Sequence, residues 1–222
     1  MLMDFFLRTV DSLRCTPVSL SGKIASSTSI SRSRMIPSFN LSGVLPPYVG
    51  PSPAIPAGLS PYETSMREMA EAFGTTPERA AILKGFIGLR DRLRAIGVTQ
   101  GYQWCAGSFC EDIERVEGRS PRDIDVVTFF ARPVHRNDDA AWTAFVVANS
   151  AVFDATQTKI VFSCDAYFVD ASTPAPTMIS QVTYWHGLFG HQRSSHLWKG
   201  MLRLPLQSDD VDALAHLARR WP

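Results

Sequence analysis

The sequence has no apolar run approaching the roughly 18 residues that a membrane-spanning helix needs, so nothing in it points to a membrane. It has four cysteines, Cys15, Cys105, Cys110 and Cys164. Their spacing matches no zinc pattern and suggests no disulfide framework. Cys105 and Cys164 lie in apolar, strand-like runs and read as buried thiols of a reducing cytoplasm. An excess of charge is lacking too: 22 Lys and Arg stand against 21 Asp and Glu, a net charge of +1. No global field therefore announces a nucleic-acid or membrane partner, and any basic patch is local. There is no internal repeat, hence no solenoid or propeller.

What is present is a globular composition, 45% hydrophobic and 19% charged over 222 residues. That is enough for one domain with a core and some appendages. Residues 1–34 stand apart: "VSLSGKIASSTSISRSR" is Ser-rich, carries basic but no acidic residues and lacks apolar periodicity. It reads as a disordered leader. A transit peptide suits it poorly because of Asp4 and Asp11, and a true start at Met35 is the favoured alternative. Residues 35–59 contain "GVLPPYVGPSPAIPAG", where Pro and Gly exclude helix and central strand. An extended arm over the domain surface is expected, with a polyproline recognition segment as the other reading.

The globular part, 60–222, begins at "SPYE", read as a helix capped by Ser60 with Glu63 closing the box. Met66, Met69, Ala70 and Phe73 form its apolar stripe, and Gly74 ends it. Thr75 and Glu78 box a second helix with Ile82, Phe86, Leu89, Leu93 and Ile96 inward. A short strand at Tyr102–Cys105 leads to the Gly107-Ser108 turn and a short helix reaching Val116. "DIDVVTFF" is a strand, and "NDDAAWTAFVVANSAVF" a helix capped at Asn137. Residues 159–169 read as a strand, and 178–189 fit helix or strand. "LWKGMLRLPL" is a late strand. The closing helix has Ser208 as cap and Val211, Leu214, Leu217 and Trp221 inward. The order of elements implies an α/β (α+β) fold, a small twisted mixed sheet with helices packed on it.

Two strands raise a chemical question. Side chains alternate along a strand, so Asp123 and Asp125 share one face, roughly 7 Å apart by strand rise. Unpaired burial of two like charges costs several kcal/mol, on the order given for isolated buried ions. A hard divalent cation resolves the conflict, because it takes carboxylate oxygens together with phosphates. Asp165, alone in the apolar "VFSCDAYF", supplies a third acid, with Val161, Ser163 and Tyr167 expected on its face. Gly107 lets backbone approach a phosphate closely. The Ser108 hydroxyl and the start of the next helix offer donors to it. Each piece alone has an ordinary structural explanation, such as a turn, a cap or a hydrogen-bonded buried acid. The ordered combination points to a site.

"GSF…DIDVV" followed by "CDAYF" resembles the polymerase-beta-like nucleotidyltransferase superfamily. The match runs through Gly-Ser, an Asp-x-Asp flanked by apolar residues, and a third acid on a later strand, with residues 109–122 as a long insertion. The wider chain, roughly 35–206, is similar to small uncharacterised bacterial proteins with this core. The resemblance implies that Gly107 and Ser108 hold an NTP triphosphate. It implies that Asp123 and Asp125 bind Mg²⁺ or Mn²⁺, and that Asp165 completes the metal site or serves as base. It implies transfer of a nucleotidyl group to an acceptor hydroxyl of RNA, protein or a small molecule. A non-catalytic module of the same fold, such as an antitoxin or a defence-system partner, is the alternative, and a metal-dependent hydrolase a third. In "YWHGLFGHQRSSHLWKG", Arg193 and Lys199 are candidate phosphate partners, against a solvated basic loop. His186, His191 and His196 step by five, which fits no zinc pairing. Trp185, Phe189 and Trp198 read as core rather than as base-stacking platforms.

Overall fold

The computed structural model describes residues 36–133 and 138–222. The leader, Met35 and Asn137 therefore lie outside the described residues. The described chain contains a five-stranded sheet and eight α-helices: β1 (Tyr62–Glu63), α1 (Met66–Phe73), α2 (Pro77–Ala95), β2 (Gly101–Ala106), α3 (Ile113–Glu117), β3 (Ile124–Phe130), α4 (Asp139–Ala148), α5 (Ser150–Phe153), α6 (Ala155–Phe162), β4 (Cys164–Asp170), α7 (Ala175–Phe189), β5 (Leu202–Pro205) and α8 (Asp210–Arg220). The sheet order is β1-β5-β2-β3-β4. β1 and β5 are parallel, as are β3 and β4, while β2 runs antiparallel to both of its neighbours. The fold is α+β with a twisted mixed sheet.

Alternation decides what each face of the sheet does. One face carries Cys105, Ile124, Val126, Phe130, Cys164, Ala166, Leu202 and Leu204 into the main core, where α1, α2 and α8 bring Met66, Met69, Phe86, Leu89 and Leu217. The other carries Trp104, Ala106, Val127, Phe129 and Val169 against Trp185 and Phe189 of α7. Met178, Val182, Trp185 and Phe189 recur at helical spacing, so α7 lays one stripe on that face. Asp125 and Asp165 belong to the α7 side of the sheet, beyond the end of the stripe.

Buried polarity ties the elements together. Arg90, fully buried, donates from Nε and Nη2 to both oxygens of Asp210, at 2.8 and 3.0 Å, and from Nη1 to Gln103 at 2.6 Å. Its Nη2 also reaches the carbonyls of Pro205 and Leu206. Gln103 in turn donates to Thr128. One guanidinium thus joins α2, β2, the end of β5 and α8. Each of its three nitrogens has a partner, and the carboxylate balances the charge, which is the condition for burying it.

Several local expectations are corrected. Ser65, not Ser60, caps α1, accepting from the Glu68 N–H. Ser60 and Pro61 precede a two-residue strand that pairs with β5. Thr76, rather than Thr75, caps α2. Asp138 caps α4, and the expected single helix breaks at Asn149 into α4 and α5. Residues 159–162, expected as strand, are the last turn of α6, and Ser163 caps it in the left-handed region at φ 55°. Asp209, not Ser208, stands at the start of α8. Val211 and Leu214 of α8 face solvent, at 82% and 42% exposure, while Ala213 and Leu217 are buried. The arm does more than cover the surface: Val44 and Leu45 are buried, Tyr62 donates to the Pro46 carbonyl, and Val44 forms a bridge with Glu111. Cys105, Cys110 and Cys164 are free and buried thiols.

Candidate functional site

β3 and β4 start side by side, and their register sets Asp125 directly against Asp165. Cross-strand neighbours in a sheet project to one side, so both carboxylates stand on the α7 face. Asp123 lies just before β3, two residues from Asp125 and on the same side. The Ile124 N–H donates to the Ser163 carbonyl at 3.0 Å, which fastens this corner to the α6–β4 turn. The antiparallel pairing of β2 with β3 sets Ala106 opposite Asp125, so Gly107 follows beside the acids.

Gly107 is at φ +77°, and a Cβ built there would overlap Asp125 Oδ2 and lie 2.7 Å from Asp125 Cγ. The Asp125 carboxylate is therefore seated on the glycine backbone, and only glycine combines that conformation with that space. A 3₁₀ turn, Ser108–Cys110, follows in place of the expected helix start, and α3 begins only at Ile113. The expected helix N-terminus over the Gly-Ser turn is thus replaced by one tight turn, in which the Cys110 N–H donates to the Gly107 carbonyl.

All seven residues singled out in the sequence line one cavity of about 290 Å³: Gly107, Ser108, Asp123, Asp125, Asp165, Arg193 and Lys199. Asp125 faces charges of both signs. Burial raises its pKa, the negative charges of Asp123 and Asp165 raise it further, and Arg193 and Lys199 pull the other way. The Arg193 guanidinium is 3.9 Å from Asp125 Oδ1 and its side chain is 80% exposed, so it is held loosely. Lys199 is different. It is buried and ion-paired to buried Glu111, and its ammonium donates to the Gly107 carbonyl at 3.4 Å. Glu111 also accepts from Gln192 Nε2 at 2.8 Å. Lys199 is thus a fixed charge in the cavity wall.

Lys159 and Glu111 were missed in the sequence. Lys159, on the last turn of α6, lies 2.7 Å from Asp123 Oδ2 and 3.6 Å from Asp165 Oδ2. The hydrogen bond to Asp123 raises its pKa, burial opposes this, and the charges of Asp123, Asp165 and Asp125 add to the rise. Among the described residues no three carboxylate, imidazole or thiolate groups converge at metal-coordination spacing. Instead an ammonium stands between two of the acids. The donors themselves fit a hard cation: three carboxylates and a glycine-seated backbone, with no thiolate or imidazole among them. Arg119 also lines the cavity, paired with Glu117 at 2.7 Å.

The neighbouring aromatics divide. Trp185 and Phe189 are buried as expected, whereas Trp198, expected in the core, is 45% exposed and lies beside Tyr48 with ring centroids 6.3 Å apart. His191 bonds the Gly187 carbonyl through Nδ1, a local turn contact. No helix among the described residues is long and apolar enough to cross a membrane.

Residues 37–205 match the sequence model of a family of unknown function, DUF6932. Comparison with curated proteins gives no match, and comparison with solved structures gives none.

Proposed function

The chain belongs to this family of unknown function, and we propose that its acidic cleft is the site of a divalent-cation-dependent nucleotidyltransferase. The observation that supports this reading is the meeting of Asp123, Asp125 and Asp165 with Gly107 and Ser108 in one cavity. Asp123 and Asp125 would hold Mg²⁺ or Mn²⁺, with Asp165 completing the site or serving as the base. An ion held there would supply positive charge against the negative charge that builds on phosphate oxygens.

The chain's own residues account for the rest. Gly107 brings backbone close to a triphosphate, and the Ser108 hydroxyl donates to a phosphate oxygen. Lys199, fixed by Glu111, supplies positive potential at the cavity wall without having to move. Arg193, with its side chain 80% exposed, reaches the phosphates from the α7–β5 loop. The acceptor hydroxyl attacks the α-phosphorus in line, the bond to the bridging oxygen breaks, and pyrophosphate leaves. Asp165 accepts the hydroxyl proton at a carboxylate oxygen. Positioning and charge neutralisation supply the acceleration.

The Lys159–Asp123 ion pair favours one other reading, a non-catalytic binding module of the same fold, since it balances the acids without a metal. Incubation with each α-³²P-labelled NTP, Mg²⁺ and cell lysate separates the two. Label on RNA, on protein or on a small molecule supports transfer and names the acceptor class. No label with any NTP, alongside partner capture that survives Asp123→Asn with Asp125→Asn, supports the module.

A further inference from the structure

We propose that Lys159 is an internal counter-ion that competes with the divalent cation for the acidic cleft, so that cation entry requires its displacement from Asp123 and Asp165. The inference rests on the metal-dependent reading above.

Three observations carry it. The ammonium lies between two carboxylates from different chain segments, 2.7 Å from one and 3.6 Å from the other, with side-chain exposures of only 16% and 21% for Asp123 and Asp165. An ordinary surface pair bridges one exposed acid and contributes little; this ammonium relieves a repulsion inside the cleft. Second, its side chain is 51% exposed, so the stem has solvent to swing into. Lys199 lacks that freedom, because leaving Glu111 would strand a buried charge. Third, Lys159 sits at the α6–β4 corner, where left-handed Ser163 turns the chain back into the strand bearing Asp165. The groups facing it are Asp123 and Asp125 from β3 and its lead-in and Asp165 from β4. Arg119, Arg193 and Lys199 line the rest of the cavity.

Displacement has a consequence. A freed ammonium is solvated at the cavity mouth, and a phosphate group beside the cation offers it an anion, the partner chemistry a compact point charge takes. Cation and phosphate ligand then each favour the other's binding, since coupling between sites is reciprocal.

The test is Mn²⁺ binding followed by electron paramagnetic resonance without nucleotide, on the full chain, with Lys159→Met, Lys159→Arg and Arg193→Met. Lys159→Met is expected to bind Mn²⁺ about tenfold more tightly or better, as Coulomb's law implies for loss of a charge at this range. Lys159→Arg keeps a competing cation and stays near wild type. Arg193→Met, losing a solvated charge, changes affinity by less than about threefold. The rise in melting temperature on adding Mn²⁺ is larger in Lys159→Met than in wild type. If wild type binds Mn²⁺ and Lys159→Met binds it equally or more weakly, the counter-ion role is overturned while the metal site stands. If neither protein binds Mn²⁺, the metal site falls and the counter-ion role with it.

Discussion

Gly107→Ala is the sharpest perturbation of the cleft, because the structure states two separate costs. The first is conformational. At φ +77° and ψ −168° an alanine would be in a region essentially open to glycine alone, which costs about 1–3 kcal/mol. The second is steric. The new Cβ overlaps Asp125 Oδ2, so the carboxylate must rotate off its rotamer, at about 0.5–1.5 kcal/mol. Together they come to about 1.5–4.5 kcal/mol, which for a chain of this size lowers the melting temperature by about 3–18 °C. Gly118 is the reference: it is left-handed helical at φ +66° and ψ +24° and nothing lies within 4 Å of a Cβ built there, so Gly118→Ala bears only the smaller cost of that region, about 1–2 kcal/mol. A double-mutant cycle isolates the contact. With Asp125→Ala in the background, Gly107→Ala should cost about 0.5–1.5 kcal/mol less, a coupling of the size found for residues in contact. Differential scanning calorimetry of the four proteins measures it. If Gly107→Ala costs no more than Gly118→Ala and shows no coupling to Asp125, the carboxylate is not seated on the glycine.

Two further variants probe charge. Burial, followed by Asp123 and Asp165, raises the Asp125 pKa, so ionised Asp125 destabilises the fold as pH rises through and above the ordinary carboxylate range; Asp125→Asn should melt higher than wild type at pH 7, and the gain should vanish when both states are protonated near pH 3. Arg90→Met takes the bidentate partner from buried Asp210 and leaves it paired with Arg94 at 2.6 Å, so it should cost about 1–3 kcal/mol for the lost charge-assisted hydrogen bonds, read as a fall of roughly 2–12 °C; Arg90→Met with Asp210→Leu should recover much of it, and an unchanged melting point in the single variant would mean that Arg94 alone compensates Asp210.

The three acids were legible because each interrupts an apolar run, and alternation assigned Asp123 and Asp125 to one face. The parallel register that sets Asp125 against Asp165 was not legible, since pairing partners depend on the whole sheet. Lys159 was hidden by local propensity. "TKIVF" is rich in β-branched and aromatic residues, which favour strands, yet tertiary packing makes it helical. A Cβ built at Gly85 of α2 would overlap the Phe162 carbonyl and lie 2.9 Å from its carbon, and one at Gly88 would meet the Phe162 ring at 3.5 Å. That pair of glycines inside α2, i and i+3, marks a close helix crossing and was the available signal. "SPYE" misled because Ser-x-x-Glu recurs five residues later as Ser65 and Glu68, and the second copy caps the helix. In the closing helix Val211 and Leu214 fit an apolar stripe, but burial follows Ala213 and Leu217, which α1 and α2 reach.

On the proposed reading, the cleft holds a cation beside phosphate and so makes a nucleotidyl transfer possible. Pyrophosphate release from an NTP, measured with Mg²⁺ and the labelled acceptor fraction for wild type and for Asp123→Asn with Asp125→Asn, tests it most directly. Wild type is expected to release pyrophosphate only with Mg²⁺, with release abolished by chelation and lower by orders of magnitude in a double variant that still folds, because amides are poor ligands for a hard cation. Release that is equal in the two proteins, or a double variant that fails to fold without any metal present, would contradict it.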